Sequence, residues 1–166
     1  MPSSLQTAFA LLGVIAMFGL TFLFSRSYGA VAPPKIDPKF EARLVEAVIV
    51  AEARGEGLAG WRGVAEVIRN RMAARQRTAY EIVTAPKQFS CLNGWTDLEK
   101  FIRSAMNEEA LSNMTTYEIA RGVCEGRLKG NITGGANHYH AVEVTPKWAD
   151  PKKRTAKLGK HIFYKL

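Results

Sequence analysis

Two glutamates stand among three glycines in "VAEARGEGLAG", residues 50–60. Glu52 falls four positions after Val48 and eight after Leu44, so it continues the apolar stripe of a helix rather than its solvent face. A carboxyl group there is partly desolvated, and the C-terminal end of its helix carries negative partial charge. Both effects favour the neutral form. An acid that keeps its proton can protonate a leaving-group oxygen. Gly55, Gly57 and Gly60 let the chain turn away and leave an opening above the carboxyl, so the helix delivers a proton donor to the floor of a cleft. A purely structural Glu52 would instead salt-bridge Arg54 or Arg71, or cap a neighbouring helix. Glu56, beyond the helix end, reads as support for the turn, accepting from backbone amides or pairing with Arg62. Glu66, between Ala65 and Val67, reads as an ordinary helical charge.

Other side chains suit the walls of such a cleft. Asn70 and Gln88 can each donate and accept, which matches acetamido and hydroxyl groups. Phe89, Tyr139 and Trp148 offer faces on which a sugar could stack, although core packing is the commoner use of such residues. In a strand, His138 and His140 point to one side, so H-x-H could hold a metal, but a catalytic zinc needs a third ligand and His161 is the remaining histidine. With no H-E-x-x-H, a hydrogen-bonding wall or satisfied structural histidines are the expected roles, and no metal or cofactor is expected. Cys91 and Cys124 would close a loop of about 34 residues, contributing roughly 3 to 4 kcal/mol as a disulfide, or stand as two unrelated buried thiols.

The elements that must position these residues are mainly helical. Asp37 and Pro38 open a helix with Phe40, Leu44, Val48 and Ala51 on one stripe, and Trp61, Ala65, Ile68 and Met72 mark the next. Thr78-x-x-Glu81, Thr96-x-x-Glu99 and Thr115-x-x-Glu118 match capping boxes. They predict a short turn of helix, a helix to about Ala110 and another to about Leu128, ended by Gly130. "HYHAVEVT" and "HIFYKL" then alternate or are rich in β-branched and aromatic residues, and the Gly134–Gly135 pair precedes the first. The expected fold class is mainly α (α+β), a helical domain with a small C-terminal β-ribbon, behind an N-terminal apolar helix.

That apolar segment runs "AFALLGVIAMFGLTFLF" from Ala8 to Phe24, 17 residues without a charge. It is long for a signal-peptide core and short for a membrane span. It reads as an uncleaved signal-anchor or a cleaved signal, and either way the domain is exported. The expected organisation is residues 1–26 as that segment, 27–36 as a Pro- and Gly-containing linker, and 37–166 as the domain. With 47% hydrophobic residues in a 166-residue chain, one real core is feasible. Arg26 is the only charge in residues 1–34, so 22 basic and 15 acidic side chains remain beyond it and the net charge there is +7. A basic exported globule suits a polyanionic surface such as wall polymer or anionic lipid. No nucleic-acid module is present, and nucleic acid is not an expected partner.

"AEARGEGLAGWRGVAEVIRNRM", then "QFS" at residues 88–90, then "GANHYHAVEVTPKWA" and "LGKHIFY", resemble in order the SleB-type cell wall hydrolase family, named for the spore cortex-lytic enzyme. The resemblance spans residues 44–164, and its E-A-x-G-E block followed by N-R is the specific part. It implies a lysozyme-like, lytic-transglycosylase-like fold acting on the glycan strand of peptidoglycan. The family's catalytic acid falls on the first Glu of E-A-x-G-E, here Glu52. The substrate-binding residues it suggests are Glu56, Asn70, Gln88, Phe89, Ser90, His138, Tyr139 and His140. One carboxyl then suffices for 1,6-anhydro ring closure, whereas a muramidase normally needs a second, for which Glu56 and Asp97 are the candidates. The expected partners are peptidoglycan and, through the apolar segment, the inner membrane, with the enzyme a periplasmic monomer.

Two readings of other classes compete. One is a zinc-dependent wall amidase or peptidase using His138, His140 and His161. The other is a non-enzymatic module whose basic tail "PKKRTAKLGK" binds wall or membrane polyanions. A single lytic domain behind a Gly- and Ala-containing anchor further resembles signal-anchor-release endolysins of phages, with a bacterial envelope-remodelling enzyme as the alternative.

Overall fold

The computed structural model describes residues 35–106 and 114–166. The apolar segment Ala8–Phe24 and residues 107–113 lie outside the described residues.

Helix α1, Pro38–Glu52, begins where Asp37 Oδ1 accepts from the Phe40 amide at 2.8 Å and Pro38 occupies the first turn. Leu44, Val45, Val48 and Ile49 on it are fully buried. It is the central helix, packed against α2 (Gly57–Arg75), α3 (Ala79–Thr84), α4 (Leu98–Ala105) and α5 (Met114–Cys124). Ile68, Ile82, Val83, Phe101, Ile119 and Val123 complete this core. Among the described residues, no helix is long and apolar enough to cross a membrane.

Thr78 and Glu81 make both bonds of the expected capping box at α3. At α4 the cap shifts by one residue: Asp97, not Thr96, accepts from the Lys100 amide at 2.9 Å, because its carboxylate out-competes a hydroxyl for that donor. Helix α4 ends at Ala105, short of Ala110, and α5 ends at Cys124, short of Leu128. The α5 stop comes early because Gly126, in the left-handed region at φ +67°, lets the Arg127 and Leu128 amides bond back to the Gly122 carbonyl.

The C-terminal part forms a three-stranded antiparallel sheet in the order β1–β3–β2, with β1 His138–Ala141, β2 Arg154–Leu158 and β3 His161–Tyr164. β2 comes from the basic tail "PKKRTAKLGK", for which no strand was expected. Its charges occupy an edge strand, where exposed Lys and Arg are at home. The sheet seats on α2 through Val67, Ala136 and Phe163. Gly63 makes this possible, since a Cβ there would lie 2.7 Å from the Phe163 ring.

Candidate active site

Glu52 closes α1, and three donors from two other parts of the chain meet its carboxylate. Oε1 accepts from the Cys91 amide at 3.0 Å and the Ser90 hydroxyl at 3.2 Å, and Oε2 from the Tyr139 hydroxyl at 2.8 Å. Ser90 and Cys91 belong to a 3-10 turn, Ser90–Leu92, and Tyr139 to β1. The chain escapes from α1 through Gly55 and Gly57, both at positive φ that a side chain would strain. What opens beside the carboxylate is a half-open cavity of about 490 Å³ lined by Ala51, Glu52, Ser90, Cys91, Tyr139, His140, Ala141 and His161.

The site's electrostatics follow from enclosure. Tyr139 keeps partial exposure as a residue, but its hydroxyl end is enclosed, and burial together with the Glu52 charge pushes the phenol pKa well up. Burial and the same carboxylate push the Cys91 thiol far up. Cys91 and Cys124 are both free thiols, so the disulfide left open by the sequence is not made.

Arg71, weighed from the sequence only as a salt-bridge partner of Glu52, has a different role. Its buried guanidinium donates to the Asn137 carbonyl at 2.7 Å and the Gln88 carbonyl at 3.4 Å, and lies 5.2 Å from the Phe89 ring centroid. One side chain thus ties the segment before Ser90 to the segment before β1, the two that supply donors to Glu52. Desolvation lowers its pKa, offset in part by Tyr139 and Glu52. Its place as the second residue of the "NR" pair in α2 was visible, but nothing in spacing says that it faces inward.

Several expected substrate contacts have partners within the protein. Asn70 spends its amide on the Ala136 carbonyl at 2.7 Å and accepts from Arg69. Gln88 Oε1 accepts from Arg75 at 2.9 Å. Phe89 is 2% exposed and packs in the main core, so no sugar can stack on it. Glu56 does not face a sugar: its side chain is buried beside His161. Glu66, expected as an ordinary helical charge, is fully buried and receives the Ile132 amide, the Thr133 amide and the Thr133 hydroxyl at 2.8–3.0 Å. Its three donors are a turn remote in sequence, which spacing could not reveal. Asp97 is engaged as the α4 cap.

The histidines divide between the two faces of the sheet. His138 and His140 both meet Trp148, at 5.3 and 5.7 Å between ring centroids, and His140 Nε2 lies 3.1 Å from the Tyr164 hydroxyl. His138 Nδ1 pairs with Asn137 at 2.9 Å, and burial, then Arg71 and Arg75, lowers its pKa. His161 pairs across the strands with Ala141 and meets Tyr139, which puts it on the opposite face. The three cannot converge on one zinc. Among the described residues, no group of three His, Cys, Asp or Glu is placed to hold a metal.

The helical domain thus presents one carboxyl group in a donor-lined cleft, with a small sheet as the facing wall, an arrangement that suits general acid–base chemistry. The sequence profile of the family described as Cell Wall Hydrolase matches residues 55–164, and the chain belongs to that family. It is a peptidoglycan-degrading enzyme. Among solved structures, the chain is similar to the crystal structure of the catalytic domain of the Bacillus cereus SleB protein, with a TM-score of 0.57 and 26% identity over 80% of this chain and 94% of that one. No curated protein matches the chain.

Proposed function

We propose that this protein cleaves the β-1,4 bond between N-acetylmuramic acid and N-acetylglucosamine as a lytic transglycosylase, with Glu52 as both general acid and general base. The observation that carries the reading is the convergence of Ser90, Cys91 and Tyr139 on one carboxyl at the edge of the cleft. The family match begins at Gly55, so the role of Glu52 stands on this geometry. The other acids weighed as a second catalytic carboxylate are occupied, Asp97 as a helix cap and Glu56 beside His161.

Glu52 gives its proton to the glycosidic oxygen, the bond to the muramic C1 breaks, and N-acetylglucosamine leaves with a free 4-hydroxyl. The resulting carboxylate takes the proton of the muramic 6-hydroxyl as O6 bonds C1, which closes the 1,6-anhydro ring and returns Glu52 to its acid form. The donor set serves both states. A backbone N–H can only donate, so Oε1 stays an acceptor and the proton belongs on Oε2. The Tyr139 hydroxyl beside it can donate to the carboxylate or accept from the acid.

The segment Ala8–Phe24 supports export, with tethering to the inner membrane from the periplasmic side, and a lytic domain so placed fits a phage endolysin that degrades the host wall. The test of the enzymatic reading is turbidity clearing of purified sacculi by the full chain. Glu52→Gln is expected to lose at least about a hundred-fold in rate with an unchanged circular dichroism spectrum. Retained clearing would refute the role of Glu52.

A further inference from the structure

Beneath Tyr139 lies a second acidic group that the mechanism above does not use. The side chains of His161 and Glu56 are 9% and 7% exposed, and His161 Nδ1 stands 3.1 Å from Glu56 Oε1. His161 Nδ1 makes no aligned hydrogen bond there, and Glu56 Oε2 is buried with no hydrogen-bond partner among the described residues. Two glycines make room for it: a Cβ at Gly159 would lie 2.6 Å from this oxygen, and one at Gly60 would lie 3.1 Å from it. A buried carboxylate with an unpaired oxygen costs stability, and buried ion pairs are often replaceable by apolar residues without loss. Stability therefore does not account for the pair.

Its contacts do. The His161 ring meets the Tyr139 ring edge-on, 4.9 Å between centroids, while Phe163 lies 5.7 Å from Tyr139. His161 also lines the cleft with Glu52. A continuous series, Glu56 to His161 to Tyr139 to Glu52, thus runs from the buried acid to the half-buried one at the cleft. We propose that Glu56 and His161 are a positioning pair that holds the Tyr139 hydroxyl against Glu52, so the second glutamate of the glycine junction governs the proton donor without touching the sugar. The inference rests on Glu52 being the acid. Glu56 packs against the Nδ1 edge of the imidazole and limits its movement, and the imidazole with Phe163 keeps the phenol from turning away from Oε2. Loss of that alignment is felt in the transition state, while the sugar contacts are untouched, so it appears in kcat rather than KM.

The test is a double-mutant cycle on the full chain, reading the rate of soluble muropeptide release against sacculus concentration for wild type, Glu56→Gln, Tyr139→Phe and the double variant. Glu56→Gln is expected to lower kcat about ten-fold with KM within about two-fold. In the Tyr139→Phe background the same change should cost less than about two-fold, because the group it acts through has gone. An equal loss in both backgrounds, or an unchanged kcat in Glu56→Gln, overturns the proposal. Should Glu56→Gln fail to fold, His161→Gln takes its place in the cycle with the same expected outcomes. Glu52→Gln run alongside separates the two levels. Activity retained there removes the acid and the positioning pair together, whereas activity lost there with an additive cycle removes the pair alone.

Discussion

Tyr139 and Glu52, 87 positions apart in the chain, meet at 2.8 Å through the phenol hydroxyl and Oε2. This bond joins the end of the central helix to the first strand, and it places a reversible donor on the oxygen that gains and loses the proton in the proposed mechanism. Tyr139→Phe keeps the ring and removes only that hydroxyl. It is expected to lower muropeptide release about ten-fold while thermal stability changes by no more than about 1 kcal/mol, checked by paired rate and melting measurements.

Arg71 holds the Gln88 and Asn137 carbonyls together from behind the site. A lysine at this position has one ammonium in place of a planar fork and cannot serve both. Arg71→Lys should therefore lower activity and stability together, by about ten-fold in rate and roughly 2 kcal/mol in unfolding free energy. Denaturant unfolding beside a rate assay checks it.

Glu66 receives three donors from Ile132 and Thr133 with no exposure of its own. Glu66→Ala strands all of them in the interior and is expected to cost about 3 kcal/mol. The melting temperature should fall by roughly 10 °C, which calorimetry would register.

Burial pushes the Cys124 thiol up to about 12 and the Cys91 thiol higher still. At pH 8 the thiolate fraction of Cys124 is then about a thousand-fold below that of an ordinary thiol, so iodoacetamide should label the folded protein far more slowly than the unfolded chain. The sign of the linkage follows. The folded pKa lies above the unfolded one, so this contribution to stability is complete below pH 9 and is lost as the pH rises toward about 12. Intact-mass labelling kinetics across that range check both statements.

Helices were the legible part of the sequence. The Leu44–Val48 and Ala65–Ile68 stripes lie in the core because a period of 3.6 residues marks a buried face directly. Glu52 was legible for the same reason: a carboxylate on such a stripe conflicts with local pattern, and conflicts of that kind concentrate at functional sites. Its partners were only half legible. Ser90 and Tyr139 lay in blocks noticed for their resemblance, but their bonds to Glu52 span 38 and 87 positions. The inward roles of Arg71, Glu66 and Glu56 were hidden because each is held by backbone or side chains far away in sequence. The strand Arg154–Leu158 was hidden by its charge, which signals solvent equally in a loop and on a sheet edge.

The most direct test of the central claim is mass spectrometry of the products that the full chain releases from purified peptidoglycan, run beside Glu52→Gln. The account predicts muropeptides ending in 1,6-anhydromuramic acid, absent from the Glu52→Gln digest. Reducing muramic ends, or anhydro products that persist without the Glu52 carboxyl, would contradict it.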